Sequence, residues 1–298
     1  MRRIAVAILL LVPLAVWLIT QPSTIPAEEL PDHAGDAVAG ERMFWAGGCA
    51  SCHATPVDGR RAKGADKLVL GGGMTLESPY GDFHVPNISP HEDGLGGWTT
   101  LEFVNAMLRG VSPDGRHYYP SFPYASYARM RIEDVIDLKA FLDTLPAVAG
   151  TTPGHDLGIP WNTRRGIGVW KRLYLDASPV VDVEGEQAER GRYLVEGPGH
   201  CGECHTPRNL LGGLIESRWL SGAPNPEGKG RVPNITAGES GIGEWSAADI
   251  EYYLETGFTP EFDTVGGSMV AVQENMAKLN KEDRAAIAAY LTTVPAID

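Results

Sequence analysis

Cys49-Ala50-Ser51-Cys52-His53 is matched further along the chain by Cys201-Gly202-Glu203-Cys204-His205, and these two stretches hold all four cysteines. C-x-x-C-H is the attachment signature of c-type haem. Two residues between the cysteines set both sulfurs against the two vinyl groups of one macrocycle, and the next residue, histidine, lies under the iron as proximal ligand. A redox dithiol sits in a strand-to-helix setting, and a zinc site needs further cysteines or histidines at a suitable spacing. Two copies that consume every cysteine favour haem. Cys49, Cys52, His53, Cys201, Cys204 and His205 are therefore predicted to hold two covalently bound haem c groups.

Working outward, the likeness between the halves extends well past these motifs. Gly40-Glu41-Arg42 precedes the first as Gly191-Arg192-Tyr193 precedes the second. Val85-Pro86-Asn87-Ile88 recurs as Val232-Pro233-Asn234-Ile235, and Gly94-Leu95-Gly96-Gly97-Trp98-Thr99 recurs as Gly241-Ile242-Gly243-Glu244-Trp245-Ser246. Glu133 to Pro146 pairs with Glu282 to Pro295. The order is the same in both halves, which marks a duplicated domain. In each half a short helix leads into the motif, and Thr99, Thr100 or Ser246 caps a second helix that ends at Gly110 or Gly257. A last amphipathic helix carries Val135, Leu138, Phe141 and Leu142, or Ile287, Tyr290 and Leu291. Nothing reads as a substantial sheet.

Arg2 and Arg3 precede an apolar run from Ile4 to Ile19 broken by Pro13, the pattern of an export signal or an uncleaved anchor. Both readings stay open, with inner-membrane anchoring through residues 4–20 as one of them. Both place the rest of the chain on the periplasmic side, since the two arginines stay inside. A net charge of −13 over 298 residues disfavours nucleic acid and anionic membrane surfaces. Residues 147–186 have no counterpart in the repeat. Trp161, Arg164, Arg165, Trp170 and Lys171 make this stretch too aromatic for a flexible linker, and a helix from Arg164 to Tyr174 packed between the domains is expected.

Both repeats resemble the cytochrome c subunits of membrane-bound alcohol, gluconate and aldehyde dehydrogenases. The resemblance covers about residues 40–298 and rests on C-x-x-C-H, the P-N-I-[ST] turn, G-[LI]-G-x-W-[ST] and the P-x-x-P-Y segment. It implies an all-α chain: two tandem class I cytochrome c-like domains, each wrapped round one covalent haem, after an N-terminal apolar helix. The expected boundaries are a signal peptide or anchor at 1–27, domain 1 at 34–148, an interdomain segment at 149–185 and domain 2 at 186–298. That family commonly has three haem domains, whereas this chain has two.

The resemblance also implies a distal methionine on each iron. Met269, in Gly267-Ser268-Met269, stands in that place in the second half, with Met276 as the competing position. In the first half the segment reads Pro120-Ser121-Phe122-Pro123-Tyr124, so Phe122 replaces the ligand. Met130, His117 or an open iron remain for haem 1, with Met130 the first candidate for distal ligand. The implied function is a relay of single electrons in the periplasm, between a dehydrogenase or respiratory donor and an acceptor, with redox proteins as partners and no catalytic residue assigned. Two alternatives stay open: a haem enzyme acting on peroxide or small oxyanions at an open first haem, and a cytochrome subunit of a terminal oxidase.

Overall fold

The computed structural model describes residues 2–225, 228 and 230–298. Helix α1 (Arg2–Ile19) leads into the first unit, which contains α2 (Ala37–Ala46), α3 (Cys49–His53), α4 (Thr100–Arg109), α5 (Tyr124–Tyr127) and α6 (Ile132–Leu142). A connecting helix α7 (Ile167–Tyr174) follows. The second unit repeats the order as α8 (Glu186–Glu196), α9 (Gly202–His205), α10 (Ala247–Thr256), α11 (Met269–Met276) and α12 (Lys281–Leu291).

Each unit is built on a crossing of its first and last helices, α2 on α6 and α8 on α12. The crossing depends on glycine. A Cβ on Gly40 would collide with the carbonyl oxygen of Asp137, and one on Gly191 would collide with that of Ala286. Around the first crossing Phe44 packs on Phe141 with ring centroids 5.2 Å apart. Val135, Leu138, Phe141 and Leu142 are buried, as are Ile287, Tyr290 and Leu291, so the amphipathic reading of both last helices holds. The caps also form as expected. Thr99 and Glu102 make a reciprocal capping box at α4, Ser246 and Asp249 make one at α10, and Gly110 and Gly257 close these helices in the left-handed region.

The all-α expectation is corrected by five short strands among the described residues. Strands β1 (Thr75–Ser78), β2 (Gly81–His84) and β3 (Asp156–Leu157) form an antiparallel sheet in that order, and β4 (Ala223–Pro224) pairs with β5 (Arg231–Val232). Gly81 takes φ +119°, and a Cβ there would run into the backbone of Asp156. Only glycine lets β3 approach, and β3 belongs to the connecting segment, outside the repeat. The expectation of an N-terminal apolar helix as a membrane element is corrected as well. Among the described residues no helix is long and apolar enough to cross a membrane, so anchoring through residues 4–20 finds no support.

The connecting segment packs between the units, as expected from its aromatics. Lys171 of α7 donates to the Arg109 and Gly110 carbonyls at 2.6 and 2.7 Å, and so caps the C-terminus of α4. On the other side Trp170 Nε1 donates to Leu211 O of the second unit at 3.0 Å. Buried residues of both units belong to one continuous hydrophobic core.

Candidate haem sites

The first motif forms α3, entered through Gly48 in the left-handed conformation. His53 Nδ1 lies 2.9 Å from the carbonyl oxygen of Pro86. A carbonyl only accepts, so Nδ1 carries the proton and Nε2 keeps its lone pair. This is the tautomer an iron ligand needs, and the proline oxygen also fixes the plane of the ring. The second site repeats the device, with His205 Nδ1 2.8 Å from Pro233 O. Burial lowers the pKa of both imidazoles and so favours their neutral, ligating form.

The P-N-I turn therefore does two things. Its proline orients the histidine, and the next residue pins the end of the unit. Asn87 Nδ2 donates to Val148 O at 2.7 Å, and Asn234 Nδ2 donates to Ile297 O at 2.6 Å. Each asparagine also receives an N–H from two residues on, Ser89 at 2.8 Å and Thr236 at 2.9 Å. Sequence reasoning identified the turn but missed the orienting role of Pro86 and Pro233. It also left Gly72 and Gly222 unassigned. Gly72 N donates to His53 O at 2.9 Å, and a Cβ on Gly72 would strike Pro86; Gly222 N donates to His205 O at 2.7 Å in the same manner. The glycine ahead of each V-P-N-I, Gly72 in one half and Gly222 in the other, was the available signal.

The thiols do not resemble a redox pair. Burial pushes Cys49 and Cys201 up to about 12, whereas dithiol catalysts depress theirs. Among the described residues no group of three or more His, Cys, Asp or Glu side chains is placed to hold a metal ion, so a zinc site lacks ligands. Neutral thiols beside a lone-pair-bearing imidazole fit thioether attachment of haem and iron ligation. The residues present thus fit the group.

The distal candidates fall in different surroundings. Met269 is half-buried at the first turn of α11, while Met276 at the other end is buried in the core. Phe122 sits among Tyr118, Tyr124 and Tyr127 with centroid distances of 5.8, 6.2 and 5.6 Å. Met130 is buried at the junction of the units, where its Cγ lies 3.6 Å from the Cβ position of Gly197. His117 is buried with Nε2 donating to Thr20 O at 3.0 Å, and its Nδ1 has no partner among the described residues.

Two halves of one design, each with a C-x-x-C-H helix whose histidine leans on a proline carbonyl, define the class: a protein with two c-type haem units. The comparisons agree. The cytochrome c family model matches residues 37–146. A di-haem cytochrome c-type protein of Cereibacter sphaeroides is 53% identical over the full length of both chains. The fructose dehydrogenase cytochrome subunit of Gluconobacter japonicus is 37% identical over 91% of this chain and 55% of its own. The cytochrome c subunit of the Gluconobacter oxydans quinone alcohol dehydrogenase is 31% identical over 87% of this chain and 54% of its own. The chain thus spans about half the length of these dehydrogenase subunits. It belongs to the cytochrome c family, is similar to the cytochrome c subunits of dehydrogenases, and carries two covalently bound haem c groups.

Proposed function

We propose that this chain relays single electrons on the periplasmic side of the inner membrane, from a dehydrogenase to a respiratory acceptor. The observation that carries the reading is the duplicated histidine–proline device, His53 on Pro86 and His205 on Pro233. It presets two axial ligands, one in each repeat. Residues 34–148 and 186–298 form the two haem domains in this reading, joined by 149–185. Cys49 and Cys52 hold the first haem and Cys201 and Cys204 the second, with His53 and His205 as proximal ligands. Met269 completes the second iron's coordination and raises its potential. The bound haems supply reversible one-electron chemistry.

The chain's own residues keep that chemistry simple. The proline carbonyls hold each imidazole in one tautomer and one plane, so little has to reorganise when charge changes. The export pattern behind Arg2 and Arg3 supports the periplasmic setting, and the similarity to dehydrogenase subunits supports a dehydrogenase as donor. Protein-film voltammetry with cell fractionation tests the reading. The expected result is two reversible one-electron couples from a periplasmic-side protein. A catalytic wave with peroxide or an oxyanion, or recovery in the cytoplasm, would overturn it.

A further inference from the structure

Two hydrogen bonds related by the repeat cross between the units. Asn275 Nδ2 donates to Ser51 Oγ at 2.8 Å, and Ser126 Oγ donates to Glu203 Oε1 at 2.9 Å. Ser51 and Glu203 each stand just before the second cysteine of their motif, and Ser126 and Asn275 each stand seven residues before Glu133 or Glu282. The correspondence continues alongside. Arg129 lies 4.0 Å from Glu196, and its counterpart Lys278 lies 5.9 Å over the ring of Trp45. The halves therefore face each other through a self-complementary surface, as two copies do in a symmetric dimer. That surface brings the two attachment motifs together.

His200 breaks the symmetry. It precedes Cys201 as Gly48 precedes Cys49. Gly48 holds φ +60° without strain, while His200 is held at φ +40°, where a residue with a Cβ is disfavoured. What the strained position achieves is contact with the other motif. His200 Nε2 donates to Gly47 O, two residues ahead of Cys49, at 3.2 Å. The ring also stands edge-on to Tyr127 with centroids 5.7 Å apart. Tyr127 is buried among groups that include Cys49, Cys52 and Glu203.

Resting on the relay reading above, we propose that His200 is a positioning residue for electron transfer within the chain. It clamps the second attachment motif onto the first, bearing on Tyr127, and so fixes the distance between the haems. The step moves one electron: one iron is oxidised, the other is reduced, and no bond forms or breaks and no proton moves.

His200→Gly tests this in the full-length, haem-loaded protein. Gly48 shows that glycine suits the backbone there, while the ring and the bond to Gly47 are lost. Three quantities are measured: covalent haem per chain, the two reduction potentials, and redistribution of a single electron injected by a reducing pulse. Rates between held centres fall steeply with ångström-scale displacement, so His200→Gly is expected to keep both haems and redistribute roughly tenfold more slowly. Both haems present with redistribution at the wild-type rate would overturn the proposal and leave the carrier reading standing. A wild-type protein in which redistribution depends on protein concentration would overturn the relay reading itself. If His200→Gly fails to retain haem, His200→Asn replaces it under the same outcomes, because asparagine tolerates the left-handed backbone but is too short to bear on Tyr127.

Discussion

Phe122 and Met269 occupy the same station in the two halves. Each follows by eleven residues the residue that opens a small bridged turn, Val111 with His117 or Phe258 with Thr264. In each half the next N–H, of Tyr118 or Val265, donates to the glycine ending the preceding helix, at 2.7 and 2.8 Å. A thioether at this station can ligate iron and a phenyl ring cannot. If this station supplies the sixth ligand, carbon monoxide is expected to bind about half the haem of the reduced protein, at the first site, whereas ligation there by Met130 or His117 leaves none bound. Phe122→Met should abolish that binding, and Met269→Leu should extend it to both haems. A carbon monoxide difference spectrum scaled to total haem reads all three. A reduced wild-type protein that binds none would sink the idea, and His117→Ala against Met130→Ala would then locate the ligand.

The glycine at each helix crossing is a steric requirement, because a methyl group at Gly40 would meet the Asp137 carbonyl and one at Gly191 the Ala286 carbonyl. Neither backbone oxygen can turn aside as a side chain can. Gly40→Ala and Gly191→Ala are each expected to cost about 3 kcal/mol, the usual scale of core overpacking. Denaturant unfolding of the haem-loaded protein measures this. An unchanged midpoint would mean that the helices part without loss.

The attachment motifs, the repeat, the caps and the two closing helices were legible because each rests on local pattern: a fixed spacing, an N-cap side chain, a left-handed glycine, an apolar stripe. The strands were not. Thr75–Ser78 and Gly81–His84 are short, and β2 gains its second neighbour from Asp156–Leu157 in a segment without counterpart in the repeat. Pro86 looked like turn chemistry because its role belongs to its carbonyl, and a carbonyl carries no side-chain signature. His200 was invisible for a similar reason. Its left-handed backbone and its reach to Gly47 exist only once the halves are docked.

Glu196 illustrates a buried acidic side chain that sequence could not place. Its carboxylate is buried and accepts from Tyr290 OH at 2.7 Å, from Val180 N at 2.8 Å and from Val181 N at 3.1 Å. Tyr290 in turn accepts from Trp219 Nε1 at 3.0 Å. One side chain thus ties the end of the connecting segment to the last helix. Glu196→Ala leaves the buried Tyr290 hydroxyl and two part-buried amides without their acceptor and is expected to cost about 3 kcal/mol, while Glu196→Gln, which keeps an acceptor, should cost less. Thermal unfolding of the two variants gives the order, and equal losses would show that a single amide oxygen cannot stand in for the two carboxylate oxygens.

His33 gives the unit a pH dependence of known sign. Its Nε2 lies 2.6 Å from Asp137 Oδ1, the same oxygen that accepts from Asp36 N at 2.7 Å. The hydrogen bond to Asp137, aided by the charges of Asp137, Glu133 and Asp134, raises its pKa above the ordinary 6.5 against the opposing effect of desolvation. The folded chain then binds this proton more tightly than the unfolded chain. The stabilisation is fully present below 6.5 and disappears as pH rises through the raised folded value. Within that window the free energy of unfolding should fall as pH increases. The effect is modest, since the imidazole is partly exposed and its pair is screened. His33→Gln removes the titrating group while leaving an amide that can still donate to Asp137. Urea unfolding across the window, run on both proteins, should show a shallower decline in the variant. Identical slopes would mean that the proton on His33 contributes nothing to folding, and that Asp137 serves only to receive the Asp36 amide where α2 begins.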